Sequence, residues 1–280
     1  YFTTTNIVTN TFGVEFDIGA VGTSTNADTS YISGSVFEYC VFSNTNGRVI
    51  KTFAQLLFSN CLFTDNETTE GTVLVKNGIV AYRTIFKNNN VTGNAPGGGC
   101  GAAVNILADW PGLGGAEPSK FFNCEFTNNS ASAWGGAICA KDAYVNVITI
   151  VNSQFISNSA TAGGAIYSSG ASIGGARNYS ITGSLFEGNQ SATEGGAIWQ
   201  YYNHLESSDC LFINNLSSGS GGTIFSQRSG SNSSNSKFIG NTSSGTGSVY
   251  QVGPSANDNV SIINSILLDN SSENITNGYL

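Results

Sequence analysis

Apolar and polar residues alternate over short stretches of this chain, and the alternation restarts many times. Ser184-Leu185-Phe186 and Val145-Asn146-Val147-Ile148-Thr149-Ile150 read as short strands. The strands carry a marker, Phe-x-x-Asn, at Phe63–Asn66, Phe86–Asn89, Phe126–Asn129, Phe155–Asn158, Phe186–Asn189, Phe212–Asn215 and Phe238–Asn241. Phe42 opens the series without its Asn, and Leu267–Asn270 closes it with Leu in place of Phe. In most repeats a second marker follows eight or nine residues after the Phe. It stands as Gly-Gly-Ala-Ile at Gly135–Ile138, Gly163–Ile166 and Gly195–Ile198, and in weaker form at Gly71, Gly101, Gly221 and Gly247.

Successive Phe positions lie 21 to 31 residues apart, with one gap of 40 between Phe86 and Phe126. Helical-hairpin repeats need roughly 33 to 47 residues, and these repeats are rich in β-branched, aromatic, Asn and Gly residues, which form helices poorly. A repeat of three short strands and three turns is one coil of a parallel β-helix. The chain therefore reads as an all-β, single-stranded parallel β-helix, a single domain over residues 1–280 with an inserted loop at about 93–119. Nine coils follow from the Phe positions, and residues 1–35 add one or two. At about 4.8 Å per coil the rod would be roughly 50 Å long.

Each marker position has a physical role. Phe42, Phe63, Phe86, Phe126, Phe155, Phe186, Phe212, Phe238 and Leu267 should point inward and stack as a column. Asn66, Asn89, Asn129, Asn158, Asn189, Asn215, Asn241 and Asn270 should sit at a turn, adopt left-handed backbone geometry and bond one another as a ladder. The Gly pair suits a tight corner with close approach between coils. Two residues before each Phe a small side chain recurs: Cys40, Cys61, Thr84, Cys124, Ser153, Ser184, Cys210, Ser236 and Ser265. Strand alternation turns it inward as well.

This register places the six cysteines. Cys40 and Cys61 occupy equivalent positions on adjacent coils, about 5 Å apart, and are a disulfide candidate. Cys100 and Cys139 flank corresponding Gly markers and are a second candidate pair. Cys124 and Cys210 are three coils apart and cannot pair with each other. They read as buried thiols unless Cys124 takes Cys100 or Cys139.

Composition narrows the function. Charged residues make up 10% of the chain, and 10 Lys+Arg against 18 Asp+Glu give a net charge of −8. No basic footprint exists for nucleic acid, and no apolar run approaches the roughly 20 residues that span a bilayer. One His and no Cys-x-x-Cys leave no zinc ligand set, so no metal or cofactor is expected. The absence of Met, the even cysteine count and many Asn-x-Ser/Thr sequons point to a secreted or surface-exposed chain whose targeting peptide has been removed. Ladder sequons such as Asn66, Asn189, Asn215, Asn241 and Asn270 should be buried. That leaves Asn90, Asn128, Asn178, Asn232, Asn259 and Asn274 as the candidates for N-linked glycans.

The paired markers, Phe-x-x-Asn and Gly-Gly-Ala-Ile, resemble the repeats of chlamydial polymorphic membrane proteins and related repeats of other surface proteins, over roughly residues 36–270. The resemblance implies a right-handed parallel β-helix displayed outside the cell, often for adhesion, and it carries over no catalytic residue. The 280 residues contain no membrane barrel of the kind that family carries, which speaks against autotransport, and the sequons point instead to a eukaryotic or archaeal surface protein.

Chemistry on the rod was tested against the residues present. A glycosidase needs two carboxylates across a groove. The Asp residues are scattered, and Glu194, Glu187 and Asp142 on nearby coils are the one set that could form an acidic cleft. His204, with Glu206 and Asp209 close in sequence, reads better as a surface histidine than as a catalytic one. Trp110 in the insertion and Trp134 at a turn, where Ala162, Glu194 and Ser220 are its counterparts, are candidate contact residues. Neither end shows a capping helix, although solenoids need polar caps. The expected function is a non-enzymatic extracellular structural glycoprotein stacking head-to-tail with copies of itself. The alternatives are an adhesin that binds glycans or host protein along its flank and, further off, a polysaccharide lyase or hydrolase.

Overall fold

The computed structural model describes residues 2–3, 6–8, 16–18, 35–47, 49–52, 55–75, 78–93, 99–107, 118–143, 147–170, 178–253, 259–271 and 274–276. Every regular element among them is a short strand, and the strands form four parallel sheets, three of ten strands and one of seven. This is a single-stranded parallel β-helix of ten coils.

One coil shows the order. A leading strand, Ile148–Val151, is followed by the Phe strand Gln154–Ile156, the short strand Ser159–Ala162 and a fourth strand, Ile166–Gly170. Three strands per coil were expected, and most coils have four. The extra sheet is built mainly of two-residue strands such as Asn90–Val91 and Leu216–Ser217, too short to show any periodicity in sequence.

The Phe rings stack along the whole rod. Phe42, Phe63, Phe86, Phe126, Phe155, Phe186, Phe212 and Phe238 are fully buried, with neighbouring centroids 4.5 to 5.0 Å apart. In-register pairing causes this, since Phe126 pairs with Phe86 on one side and Phe155 on the other. Ile7 pairs in register with Phe42 at one end, and Leu267 continues the column beyond Phe238 at the other.

Beside the column runs the Asn ladder, from Asn66 to Asn270 in unbroken side-chain bonds of 2.8 to 3.1 Å. Asn129 shows the pattern. Its Nδ2 donates to Asn158 Oδ1 and to the carbonyl of Phe86, while its backbone N–H donates to the same Asn158 Oδ1. Both amide donors and both acceptor lone pairs are thereby used, as burial demands.

The left-handed geometry expected of the ladder Asn belongs to other residues. Each Phe strand is bracketed by two corners of positive φ, three residues before and two residues after the Phe. Asn123 and Asn128 flank Phe126 at 54° each, and Asn152 (50°) and Ser157 (54°) flank Phe155. Asn, Asp and Gly dominate these corners because they tolerate that region best. The third corner uses the Gly pair with divided roles. Gly163 takes φ +62°, whereas a Cβ on Gly164 would collide with the carbonyl oxygen of Gly196 on the next coil.

The small inward column also forms a ladder. Ser153, Ser184 and Ser236 each donate Oγ to the carbonyl two residues before and accept a backbone N–H from the preceding coil. Cys124 and Cys210 donate weakly in the same way. Among residues 93–119, Val104–Leu107 is a strand of the fourth sheet, and residues 94–98 and 108–117 of the expected insertion lie outside the described residues.

Candidate functional site

The fourth sheet presents a second aromatic stack, on the outside of the rod. In Gly-Gly-Ala-Ile the Ile faces inward, so the residue after it faces outward. Read coil by coil, that position is Cys139, Tyr167, Trp199, Phe225 and Gln251, paired in register. Tyr167 and Trp199 stack at 4.4 Å and 5°, and Trp199 and Phe225 follow at 6.1 Å and 10°. Trp134, from the Gly corner, covers the other side of Tyr167 at 5.4 Å. Isolated bridges join Cys100 to Trp134, Trp134 to Ala162 and Glu194 to Ser220, the equivalence expected from sequence. Trp134 is half buried, and the Lys141 ammonium lies 4.5 Å from its ring centre.

Several bonds fix this face. The indole Nε1 of Trp199 donates to Glu194 Oε2 at 3.0 Å. Beneath the stack, Cys100 and Cys139 are joined by a disulfide with Cα atoms 5.5 Å apart, packed with Ala162 and Tyr167. Tyr201, two residues beyond Trp199, lies 6.0 Å from it, and Tyr202 meets Tyr201 edge-on at 4.2 Å. Arg228 donates to the Tyr202 hydroxyl and holds its pKa below the usual tyrosine value, while the bond to Tyr202 raises that of Tyr201. Lys141, Tyr167, Trp199, Tyr201 and Gln227 line a notch of about 320 Å³.

Other candidates fall elsewhere. Cys40 and Cys61 sit on adjacent coils as expected but are not joined: Cys61 Sγ points to the carbonyls of Phe37 and Ser59, and Cys40 Sγ to that of Glu38. Burial pushes the Cys61, Cys124 and Cys210 thiols up to about 11. Trp110 and the side chains of Asp142 and Asn178 lie outside the described residues. Glu187 lies on the Phe sheet and Glu194 on the short sheet, so the two do not share a groove. His204 Nε2 meets Glu206 Oε1 at 2.5 Å, and Asn232 Nδ2 donates to the same oxygen at 2.8 Å, while Asp209 occupies an exposed left-handed corner. Asn128, Asn259 and Asn274 are exposed, Asn90 and Asn232 half buried, and the ladder sequons Asn66, Asn189, Asn215 and Asn241 fully covered. No group of three or more metal-ligating side chains occurs among the described residues.

Sequence reasoning singled out Trp134 but passed over Tyr167, Trp199, Phe225 and Tyr201. The signal was available: the residue after the second marker is aromatic in three consecutive repeats, Ile166-Tyr167, Ile198-Trp199 and Ile224-Phe225.

Fold and site together define a β-helical rod with one aromatic flank. Four of its repeats, residues 123–141, 152–169, 183–200 and 209–227, match the Chlamydia polymorphic membrane protein repeat. Each matched segment begins at the left-handed corner before a Phe strand and runs through the Gly corner into the aromatic sheet. That family is one of surface and outer-membrane-associated proteins. No helix among the described residues is long and apolar enough to cross a membrane. No curated protein and no solved structure matched the chain.

Proposed function

We propose that this protein is a surface-displayed, non-enzymatic rod that adheres through the outer face of its aromatic sheet. The observation that carries the reading is the outward stack Trp134–Tyr167–Trp199–Phe225, held by the Glu194 bond beside a disulfide. Tyr167 and Phe225 are largely covered, but Trp134 and Trp199 stay half buried, and half-buried rings with polar neighbours are what contact sites use. The surface setting of the repeat family supports the same reading. The test is binding of the purified protein to cultured cells by flow cytometry. Trp199→Ala and Tyr201→Ala should each cut it at least tenfold while circular dichroism stays unchanged, and undiminished binding would remove the flank from consideration.

One observation favours a second reading, end-to-end stacking. The last coil exposes Ile263, Ile266 and Leu268 at 54%, 51% and 50%. A second copy would cover this edge, as would a further coil of the same polypeptide. Light scattering and negative-stain imaging over a range of concentrations test it: Ile266→Lys should abolish filaments, and monomers throughout would end the idea. N-linked glycans belong to the extracellular reading, with exposed Asn128, Asn259 and Asn274 as the sites, and peptide mass spectrometry before and after deglycosylation reads their occupancy.

A further inference from the structure

The notch on the aromatic sheet has features of a built site. Among the described strands two pairings lose register, one on this sheet and one on the neighbouring short sheet. In one, Lys141 and Asp142 stand opposite Ser169 alone, between the pairs Ala140–Ser168 and Ala143–Gly170. In the other, Ala192 and Thr193 stand opposite Thr161, between Ala160–Ser191 and Ala162–Glu194. A bulge re-aims the side chains around it. Lys141, at the first bulge, lies over Trp134 in the stack, and Glu194, just past the second, accepts from the Trp199 indole.

Lys141 and Tyr201 stand two strands apart, so roughly 10 Å separates the walls they form. Between them comes the small Ser169, which opens the notch, with the edges of Tyr167 and Trp199 as its floor and Gln227 at the far side. The rings of the stack use their faces on one another, so the floor offers edges, and the Tyr201 ring, 6.0 Å from Trp199 and with the Arg228 guanidinium 6.0 Å from its centre, forms the aromatic wall. Lys141 is the cation of the notch, and no carboxylate pairs with it among the described side chains. The Glu194 carboxylate is taken up by Trp199. In a chain of net charge −8, an ammonium that lies over Trp134 and meets no carboxylate among the described side chains selects a local anion on an otherwise repellent surface.

We propose that this notch binds a glycan carrying a carboxylate, a uronic-acid-type sugar. The apolar face of the sugar ring packs against Tyr201, its carboxylate pairs with Lys141, and Gln227 and Ser169 meet its hydroxyl groups. The inference rests on the flank reading above and specifies its ligand.

The test titrates the intact protein with a hexuronic acid trisaccharide, the methyl ester of that trisaccharide and a neutral hexose trisaccharide, read by calorimetry and tryptophan fluorescence. The free acid should bind at least tenfold more tightly than the ester or the neutral sugar, and its affinity should fall as salt rises. Lys141→Gln should erase that preference, Lys141→Arg should keep most of it, and Tyr201→Ala should weaken all three sugars together. Equal affinity for acid and ester, or a preference that survives Lys141→Gln, overturns the proposal. If no trisaccharide binds while the protein still adheres to cells through Trp199 and Tyr201, the proposal fails and the flank reading stands. If cell adhesion is also insensitive to those residues, both fail.

Discussion

Two stacks of aromatic rings run along the same rod, one inside and one outside. The inner stack has a Phe in eight consecutive coils and is fully buried; the outer one changes residue at each step, from Trp134 through Tyr167 and Trp199 to Phe225, with Trp134 and Trp199 half buried and Tyr167 and Phe225 only 8% and 9% exposed. Centroid spacings are similar, 4.5 to 5.0 Å inside and 4.4 to 6.1 Å outside, because strand spacing dictates both. Stacking alone therefore does not separate structural from functional aromatics. Uniformity and complete burial mark the inner stack, variation and polar company the outer one.

Substitution should split the two stacks by stability. Phe155→Ala removes a ring packed between Phe126 and Phe186 at 4.6 and 4.7 Å and should cost about 3–5 kcal/mol, read by urea unfolding. Since each coil contacts only its neighbours, the loss should appear as local loosening there before the ends unfold, visible by hydrogen exchange. Asn158→Ala comes next. It deletes the acceptor for Asn129 N–H and Nδ2 and the donor to the Phe126 carbonyl and to Asn189 Oδ1. Buried groups left without partners should cost about 2–4 kcal/mol in the same assay. Asn158→Asp should be no milder at neutral pH, because a carboxylate cannot donate.

The inner stack was legible in sequence because every coil repeats the same requirement: Phe126 and Phe155 meet identical neighbours, so the same residue recurs. The ladder Asn and the small column before each Phe were legible for the same reason. The corners were misassigned by one residue. The conspicuous Asn of the marker turns inward to bond, and the left-handed strain falls on the less uniform residue before it, such as Asn128 or Ser157. The outer face was harder to read: the position after the second marker is aromatic in three repeats but holds a different residue in each, Tyr167, Trp199 and Phe225, so a search for identical repeats passes over it. Cys40 and Cys61 were placed on equivalent positions of adjacent coils from strand spacing, and their thiols meet there as hydrogen-bond neighbours without being joined, the Cys61 thiol also donating to the Phe37 carbonyl.

Trp199→Ala sharpens the comparison from the outside. The ring is half buried, stacks on Tyr167 and donates to Glu194, and its removal should cost only about 1–2 kcal/mol, well under Phe155→Ala. Glu194→Gln, which keeps an acceptor for the indole, should change stability by no more than about 0.5 kcal/mol. A loss for Trp199→Ala as large as that for Phe155→Ala would make the outer stack part of the core and undo the distinction.

The smallest effect is expected where Cys and Ser already alternate in one column. Cys124 occupies the position that Ser153 and Ser184 fill on the next two coils, and each donates to the carbonyl two residues before. Cys124→Ser should therefore lie within about 1 kcal/mol of the parent at pH 7. Alkaline pH should still reveal it. Burial raises the Cys124 thiol from 9.0 to about 11, as it does those of Cys61 and Cys210. Below pH 9 both folded and unfolded chains keep these protons, and stability is flat. Between pH 9 and about 11 the unfolded chain releases protons that the folded one retains, so the unfolded chain is favoured and stability falls. A serine does not titrate there, so Cys124→Ser should make the decline shallower, and Cys124→Ser with Cys210→Ser shallower again, in urea midpoints measured at intervals from pH 8 to 11. A decline of unchanged steepness in the double variant would mean that the buried thiols titrate as they do in water, and that this stretch of the interior is not closed to solvent.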